Sequence, residues 1–168
     1  MHKLTSLPPH SCVFESTHLG RFTLTSALSN DSALSFPTAS RTNIFSPNTT
    51  RPNCAGNPVP VLAGAPQLYA FPQSSSRSKH DSPNVLVLSF MTNESLDSCK
   101  GYDGGDLKVM ISRDGGRTWD SERWTVSSRP ARWGALVPLN GKEFLALWSS
   151  KGKGGMGAVA RKVALEGL

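Results

Sequence analysis

The sequence predicts an all-β protein, and three observations carry that expectation. From Leu62 onward, short apolar runs alternate with clusters of Gly, Pro, Asn and Asp, the texture of strands joined by frequent turns. Asn140-Gly141 falls between two such runs, and both residues tolerate the positive φ of a tight hairpin turn. Ser112-Arg113-Asp114-Gly115-Gly116-Arg117-Thr118-Trp119 separates two more, with an aspartate able to accept backbone N–H bonds and two glycines free to turn.

Taken in order, residues 1–61 are rich in Ser, Thr, Pro and Asn, with isolated apolar residues. So little apolar surface does not offset the entropy of ordering, and this segment is expected to be largely disordered. Arg21–Leu28 (RFTLTSAL) alternates well enough to be a strand. In residues 62–168 the first strands are expected at Gln67–Phe71 and Val85–Met91, with the Ser-rich loop Pro72–Asn84 between them. Leu107–Ser112, with Leu107, Val109 and Ile111 on one face, and Trp124–Ser127 follow. After Pro130 come Ala135–Val137, Glu143–Ser149 and Ala158–Leu165. The glycine-rich link Lys151–Gly157 runs from strand to strand without a helix N-terminus to receive an anion, so it reads as a hairpin turn and not as a phosphate loop.

Composition narrows the partners. Hydrophobic residues make up 38% and charged residues 18% of the 168, below the globular averages of about 45–50% and about 25%. The net charge of +6 is scattered, whereas a nucleic-acid footprint needs clustering. No nucleic-acid partner is expected. Cys12, Cys54 and Cys99 are odd in number and widely spaced, and His2, His10, His18 and His80 lack ligand spacing. Neither a disulfide framework nor a metal site is expected, and no cofactor. No apolar run approaches the ~20 residues of a membrane span, and Pro8 and Pro9 interrupt any signal-like start. That start suggests a cytoplasmic product or a longer parent chain. The sequons at Asn30, Asn48 and Asn93 are read as chance matches.

Residues 112–119 match S-x-D-x-G-x-T-W at every specified position. This resembles the Asp box of the sialidase superfamily of β-propellers, where the box turns the chain between the third and fourth strands of a blade. Ser112, Asp114, Gly116, Thr118 and Trp119 would then be structural residues, on the rim opposite the family's active site. A broader likeness runs from about Leu62 to Leu165 through AGAPQL (Ala63–Leu68), LSFMTNES (Leu88–Ser95), GGDLKVMISRDGGRTW (Gly104–Trp119) and FLALWSSKGKGGMGAVARKVAL (Phe144–Leu165). These segments are similar to the C-terminal part of fungal sialidase-like proteins of the exo-arabinanase type, which release terminal sugars and are often secreted. The resemblance implies a partial β-propeller, with one blade over 62–128 and an incomplete blade over 133–168. At roughly 40–50 residues per blade, the chain cannot supply the 4–8 blades of a closed ring.

Retaining glycosidases use two carboxyl groups about 5–5.5 Å apart. In the relatives these come from earlier blades, so no catalytic residue is assigned and independent catalysis is not expected. Gln67, Glu94 and Tyr102 remain as sugar-contact candidates: an amide facing the channel, an acidic residue after SFMTN, and an aromatic ring in a long insertion. Asp103 and Asp106 fit a capped turn. Arg132 offers a single guanidinium, whereas an acidic sugar is held by an arginine triad in sialidases. A neutral carbohydrate is therefore the expected partner. The alternative is a non-catalytic propeller module for carbohydrate or protein binding. The last blade would lack a strand unless Arg21–Leu28 supplied it, and an open edge favours self-association.

Overall fold

The computed structural model describes residues 10–18, 21–46, 49–53, 55–71, 85–94, 105–140, 142–152 and 155–166. They form an all-β fold of several antiparallel sheets. One holds β1 (His10–His18), β2 (Arg21–Ser29) and β3 (Thr42–Phe45), with a 3-10 turn at Thr38–Ser40 before β3. β4 (Thr50–Pro52) and β5 (Pro58–Pro60) make a small ribbon. The remainder is a six-stranded meander of β6 (Ala63–Phe71), β7 (Val85–Thr92), β8 (Gly105–Ser112), β9 (Trp124–Pro138), β10 (Glu143–Gly152) and β11 (Gly155–Ala164), each paired with its sequence neighbour.

The pattern VLVLSFMT of β7 is apolar on both alternating faces, which suits a strand covered on both sides. All eight of its residues are buried. On one face Val85 and Val87 join Leu107, Val109 and Ile111 of β8 in a core completed by Leu136, Phe144, Ala146 and Trp148. On the other, Leu88, Phe90 and Met110 pack with Leu24 and Phe45 of the N-terminal sheet, and Phe45 tilts against Phe90 with ring centroids 5.2 Å apart.

The expected boundary near residues 128–133 falls inside β9, a single strand of 15 residues. Its first part pairs with β8, from Val109 opposite Trp124 to Gly105 opposite Ala131. Its second pairs with β10, from Ser150 opposite Ala131 to Phe144 opposite Pro138. Ala131 belongs to both ladders, so the strands expected at 124–127 and 135–137 are the two ends of one strand. Gly134 permits this passage, because a Cβ there would lie 2.4 Å from Leu107 Cδ1.

The expectation of disorder in residues 1–61 is corrected: β1, β2 and β3 are a sheet. Its strands hold together through hydroxyls that a hydropathy reading counts as solvent-facing. Ser16 Oγ lies 2.9 Å from Thr23 Oγ1 and 2.6 Å from Thr25 Oγ1. On the opposite face Val13, Leu24, Ile44 and Phe45 meet the central sheet, so burial comes from a tertiary neighbour. The strand expected at Arg21–Leu28 is β2, but it pairs with β1 and β3 and does not complete the open edge at β11.

Residues 112–119 form the turn after β8. Ser112 Oγ donates to Asp114 Oδ1 at 2.8 Å and accepts the Gly116 N–H at 2.7 Å. The Thr118 N–H donates to Asp114 Oδ1 at 2.8 Å and the Thr118 hydroxyl to Oδ2 at 2.7 Å, with Gly115 and Gly116 at φ 70 and 90. The same pattern follows β2. Ser29 Oγ donates to Asp31 Oδ1 at 2.5 Å and accepts the Ala33 N–H at 3.0 Å, while the Ser35 N–H and hydroxyl donate to the two Asp31 oxygens at 2.9 and 2.5 Å. Ser32 and Ala33 take the positive φ of the two glycines, at 60 and 67. In both sheets the ladder shifts register between the fifth and fourth residues before the turn's serine, at Leu24/Thr25 and at Leu107/Lys108, and the β8–β9 ladder shifts again between Gly105 and Leu107.

Hydroxyl donors from Ser29 and Ser35 hold the Asp31 carboxyl down to about 2. For Asp114, burial pushes upward, but the Thr118 hydroxyl and N–H, then Ser112 and the Arg117 N–H, outweigh it and leave the carboxyl below its ordinary value. A carboxylate depressed on folding contributes stability that is present above its unfolded pKa and lost as pH falls through the folded one. Both turns should therefore add to acid lability below about pH 4, with the Asp31 part lost as pH falls through about 2. In acid titrations followed by circular dichroism, Asp31→Asn should flatten that part of the curve. At Ala33 the left-handed backbone opposes a Cβ, so Ala33→Gly should raise stability by about 0.5–1 kcal/mol in urea melts. A loss would mean that the turn does not hold this conformation in solution.

Candidate functional site

Between the N-terminal sheet and the outer end of the central one lies a cavity of about 450 Å3, lined by Ile44, Phe45, Ser46 and Thr49 on one side and by Glu94, Met110, Trp119, Asp120, Ser121 and Arg123 on the other. Each wall follows from local chemistry. Glu94 is placed by Asn93, whose buried side chain accepts the Leu62 N–H at 2.7 Å and donates to the Pro60 carbonyl at 3.1 Å. This fixes the end of β7 against the segment entering β6. Trp119 and Asp120 are delivered by the turn after β8, which closes with the Asp120 N–H on the Ile111 carbonyl at 2.8 Å.

The polar groups of the cavity compensate one another. Glu94 Oε2 takes the Lys108 ammonium and Oε1 lies 3.5 Å from the Arg123 guanidinium, with the Glu94 and Lys108 side chains 22% and 12% exposed. Arg123 also stacks over Phe45, 4.7 Å from the ring centroid, where the quadrupole of the ring attracts a cation. Asp120 Oδ2 lies 3.6 Å from Arg113 Nε. The half-buried Trp119 ring packs on the core shared with the N-terminal sheet, and its buried Nε1 has no hydrogen-bond partner among the described residues. The arrangement offers carboxylate acceptors, hydroxyls and two aromatic rings with little net charge, suited to a neutral polyhydroxylated ligand. Each carboxylate is engaged by a cation.

Of the three sugar-contact candidates, the structure puts Glu94 in this cavity. Gln67 is exposed on β6, opposite Ser89 and just after a bulge at which Ala65 has φ 51. It lies outside the cavity, because the bulge rather than the strand period sets its direction. Tyr102 lies outside the described residues, as do Asp103, Cys54 and Cys99. Asp106 is fully buried at the start of β8, a correction to the expected capped turn. The Asn93 sequon is closed to modification by the burial and bonding of its amide. Phe45, Thr49, Asp120 and Arg123 were not legible as site residues, since nothing in their local sequence announces that β3 and the segment after β8 share a wall. A spacing signal did exist for the second turn: Ser29, Asp31 and Ser35 stand at the first, third and seventh positions, as do Ser112, Asp114 and Thr118.

Among the described residues no group of three or more His, Cys, Asp or Glu is placed to hold a metal ion, and no helix is long and apolar enough to cross a membrane. No family model, curated protein or solved structure matches the chain.

Glu94 is the anchor of the cavity, and Glu94→Ala would leave Lys108 buried without its carboxylate. The expected cost is about 1–3 kcal/mol in denaturant melts. Glu94→Ala paired with Lys108→Met should recover part of it, since removing both charges removes the unpaired one; equal loss in both variants would separate Lys108 from this role.

Proposed function

We propose that the chain is part of a sialidase-like Asp-box β-propeller and that it binds a neutral carbohydrate in the Glu94–Trp119–Arg123 cavity without hydrolysing it. Two turns of Asp-box hydrogen bonding, each preceded by an antiparallel pair and followed by a returning strand, support the propeller reading. On it, β1–β3 are the last three strands of one blade and β6 to the first part of β9 are a full blade. The second part of β9 with β10 and β11 begins a third. A strand that leaves one ladder and enters the next, as β9 does at Ala131, is what the passage between blades requires.

The single observation that carries the ligand is the composition of the cavity. Aromatic faces at Phe45 and Trp119 beside the acceptors of Glu94 and Asp120 match the two sides of a sugar: apolar C–H faces and a rim of hydroxyls. The three cations there, Lys108, Arg113 and Arg123, share the two carboxylates Glu94 and Asp120, so none of the three stands unpaired to hold an acidic sugar. Hydrolysis would need a protonated acid beside a second carboxylate, and both carboxylates in the cavity serve ion pairs.

Calorimetric titration with neutral and sialylated oligosaccharides, together with a reducing-end assay, tests this reading. Neutral oligosaccharides should bind, Asp120→Asn and Trp119→Phe should each weaken them at least about tenfold, the equivalent of about 1.4 kcal/mol, and no reducing ends should appear. Preference for the sialylated ligand, or turnover lost in Asp120→Asn, would overturn it.

A further inference from the structure

The segment Pro60–Ala65 is tied to both walls of the cavity. The Val61 N–H donates to the Thr49 carbonyl at 3.1 Å, and Thr49 stands on the wall that carries Phe45. The Leu62 N–H donates to Asn93 Oδ1 at 2.7 Å, and Asn93 Nδ2 donates to the Pro60 carbonyl at 3.1 Å. Glu94, on the opposite wall, is the next residue. Ala63 then pairs with Thr92 and Gly64 with Met91, before the bulge at which Ala65 and Pro66 together oppose Phe90. The segment is thus a strut that sets one wall against the other.

The far end of the strut is held from across the seam. Glu15 of β1 accepts the Ala65 N–H with Oε1. Its carboxylate lies against the backbone at Gly64, where a Cβ would come within 2.9 Å of Oε1 and 3.2 Å of Cδ, so glycine is the residue that admits it. Ala65 is left-handed, with φ 51, a conformation that opposes its Cβ and persists where the surroundings impose it. Among the described residues the other left-handed non-glycines are Ser32 and Ala33, both in the turn built on the Asp31 carboxylate. In each place a carboxylate satisfies a backbone N–H that a bent chain leaves without a ladder partner. Glu15 is exposed and belongs to neither core, so replacing it takes nothing from the packing of the sheets.

We propose, on the reading of the cavity as a carbohydrate site, that Glu15 is its positioning residue. By holding the bulge it fixes the register of Pro60–Ala65 on β7, and through that strut the placement of Glu94 opposite Thr49. Without the carboxylate, Ala65 loses the bond that offsets its strain, and the residues before the bulge are free to slip along β7. A slip withdraws the Leu62 N–H from Asn93, and Asn93 then no longer holds the residue that follows it.

NMR on the full chain tests this with three variants. Glu15→Ala removes the carboxylate, Gly64→Ala displaces it, and Glu15→Gln keeps a side-chain carbonyl that accepts the N–H. Glu15→Ala and Gly64→Ala should shift the Asn93 side-chain amide and the Leu62 amide and weaken the cross-strand contact of Ala63 with Thr92. Glu15→Gln should keep all three near wild type, and Val109 and Ile111 of β8 should keep their shifts in every variant. Calorimetric titration with the neutral oligosaccharide supplies the second readout. The share of chains in the held register sets the apparent affinity, so a fall of that share to about a tenth weakens binding about tenfold. That loss is expected in Glu15→Ala and Gly64→Ala and not in Glu15→Gln. Unmoved Asn93 signals in Glu15→Ala overturn the role of Glu15, as does an affinity unchanged while those signals move. A wild type that binds no oligosaccharide removes the carbohydrate reading, and the Asn93 signals then decide on their own whether Glu15 sets the walls.

Discussion

The constraint on which the structure depends is the two-sided burial of β7. Val85–Thr92 is buried at all eight positions, and a strand apolar on both faces cannot stand at the surface of a single sheet. One face takes Phe144 and Trp148 from the C-terminal strands; the other takes Leu24 and Phe45 from a segment of hydroxylic residues. The N-terminal sheet is ordered because the central sheet needs a cover, and the apolar surface that β1–β3 lack on their own is supplied by their partner. The cavity is a by-product of that stacking, opening where Phe45 and Trp119 approach each other across the seam.

The turns solve a second problem. A tight reversal leaves several backbone N–H groups without strand partners. One carboxylate and one serine hydroxyl satisfy them in each case, Asp114 with Ser112 and Asp31 with Ser29. What differs is the tolerance of the backbone. Gly115 and Gly116 take positive φ freely, whereas Ser32 and Ala33 do so against their Cβ atoms. At the residue after the second turn's aromatic position, Pro37 replaces Asp120 and removes the N–H that in the first turn closes on Ile111. The second turn is the same device built from less suitable residues.

That difference explains what could be read from the sequence. The meander was legible because its strands carry long apolar alternation and its first turn has glycine and tryptophan where the pattern demands them. Strand centres at Val85–Met91, Leu107–Ser112 and Glu143–Ser149 lie within β7, β8 and β10. Strand β1 was not legible, because HSCVFESTH has the composition of a solvated loop and gains its order from side-chain hydroxyl pairs and from β6 and β2 beside it. The merging of two expected strands into β9 was hidden for a related reason: which ladder a residue joins is set by its neighbours across the sheet. Of the site, Glu94 carried a local signal, while Arg123 and Phe45 meet only because two turns separated by a long stretch of chain place their sheets face to face.

The seam location of the cavity has an energetic consequence. Its walls come from two sheets whose contact is the smaller of the two cores, built on Leu24, Phe45, Ala63, Leu88, Phe90 and Met110. On the proposed reading, a ligand bridging Thr49 and Phe45 to Glu94 and Asp120 would bind only when the sheets are stacked, so its binding free energy would add to the stacking free energy. A sheet with little apolar surface of its own is where such coupling is largest, because its stability is drawn from what packs against it.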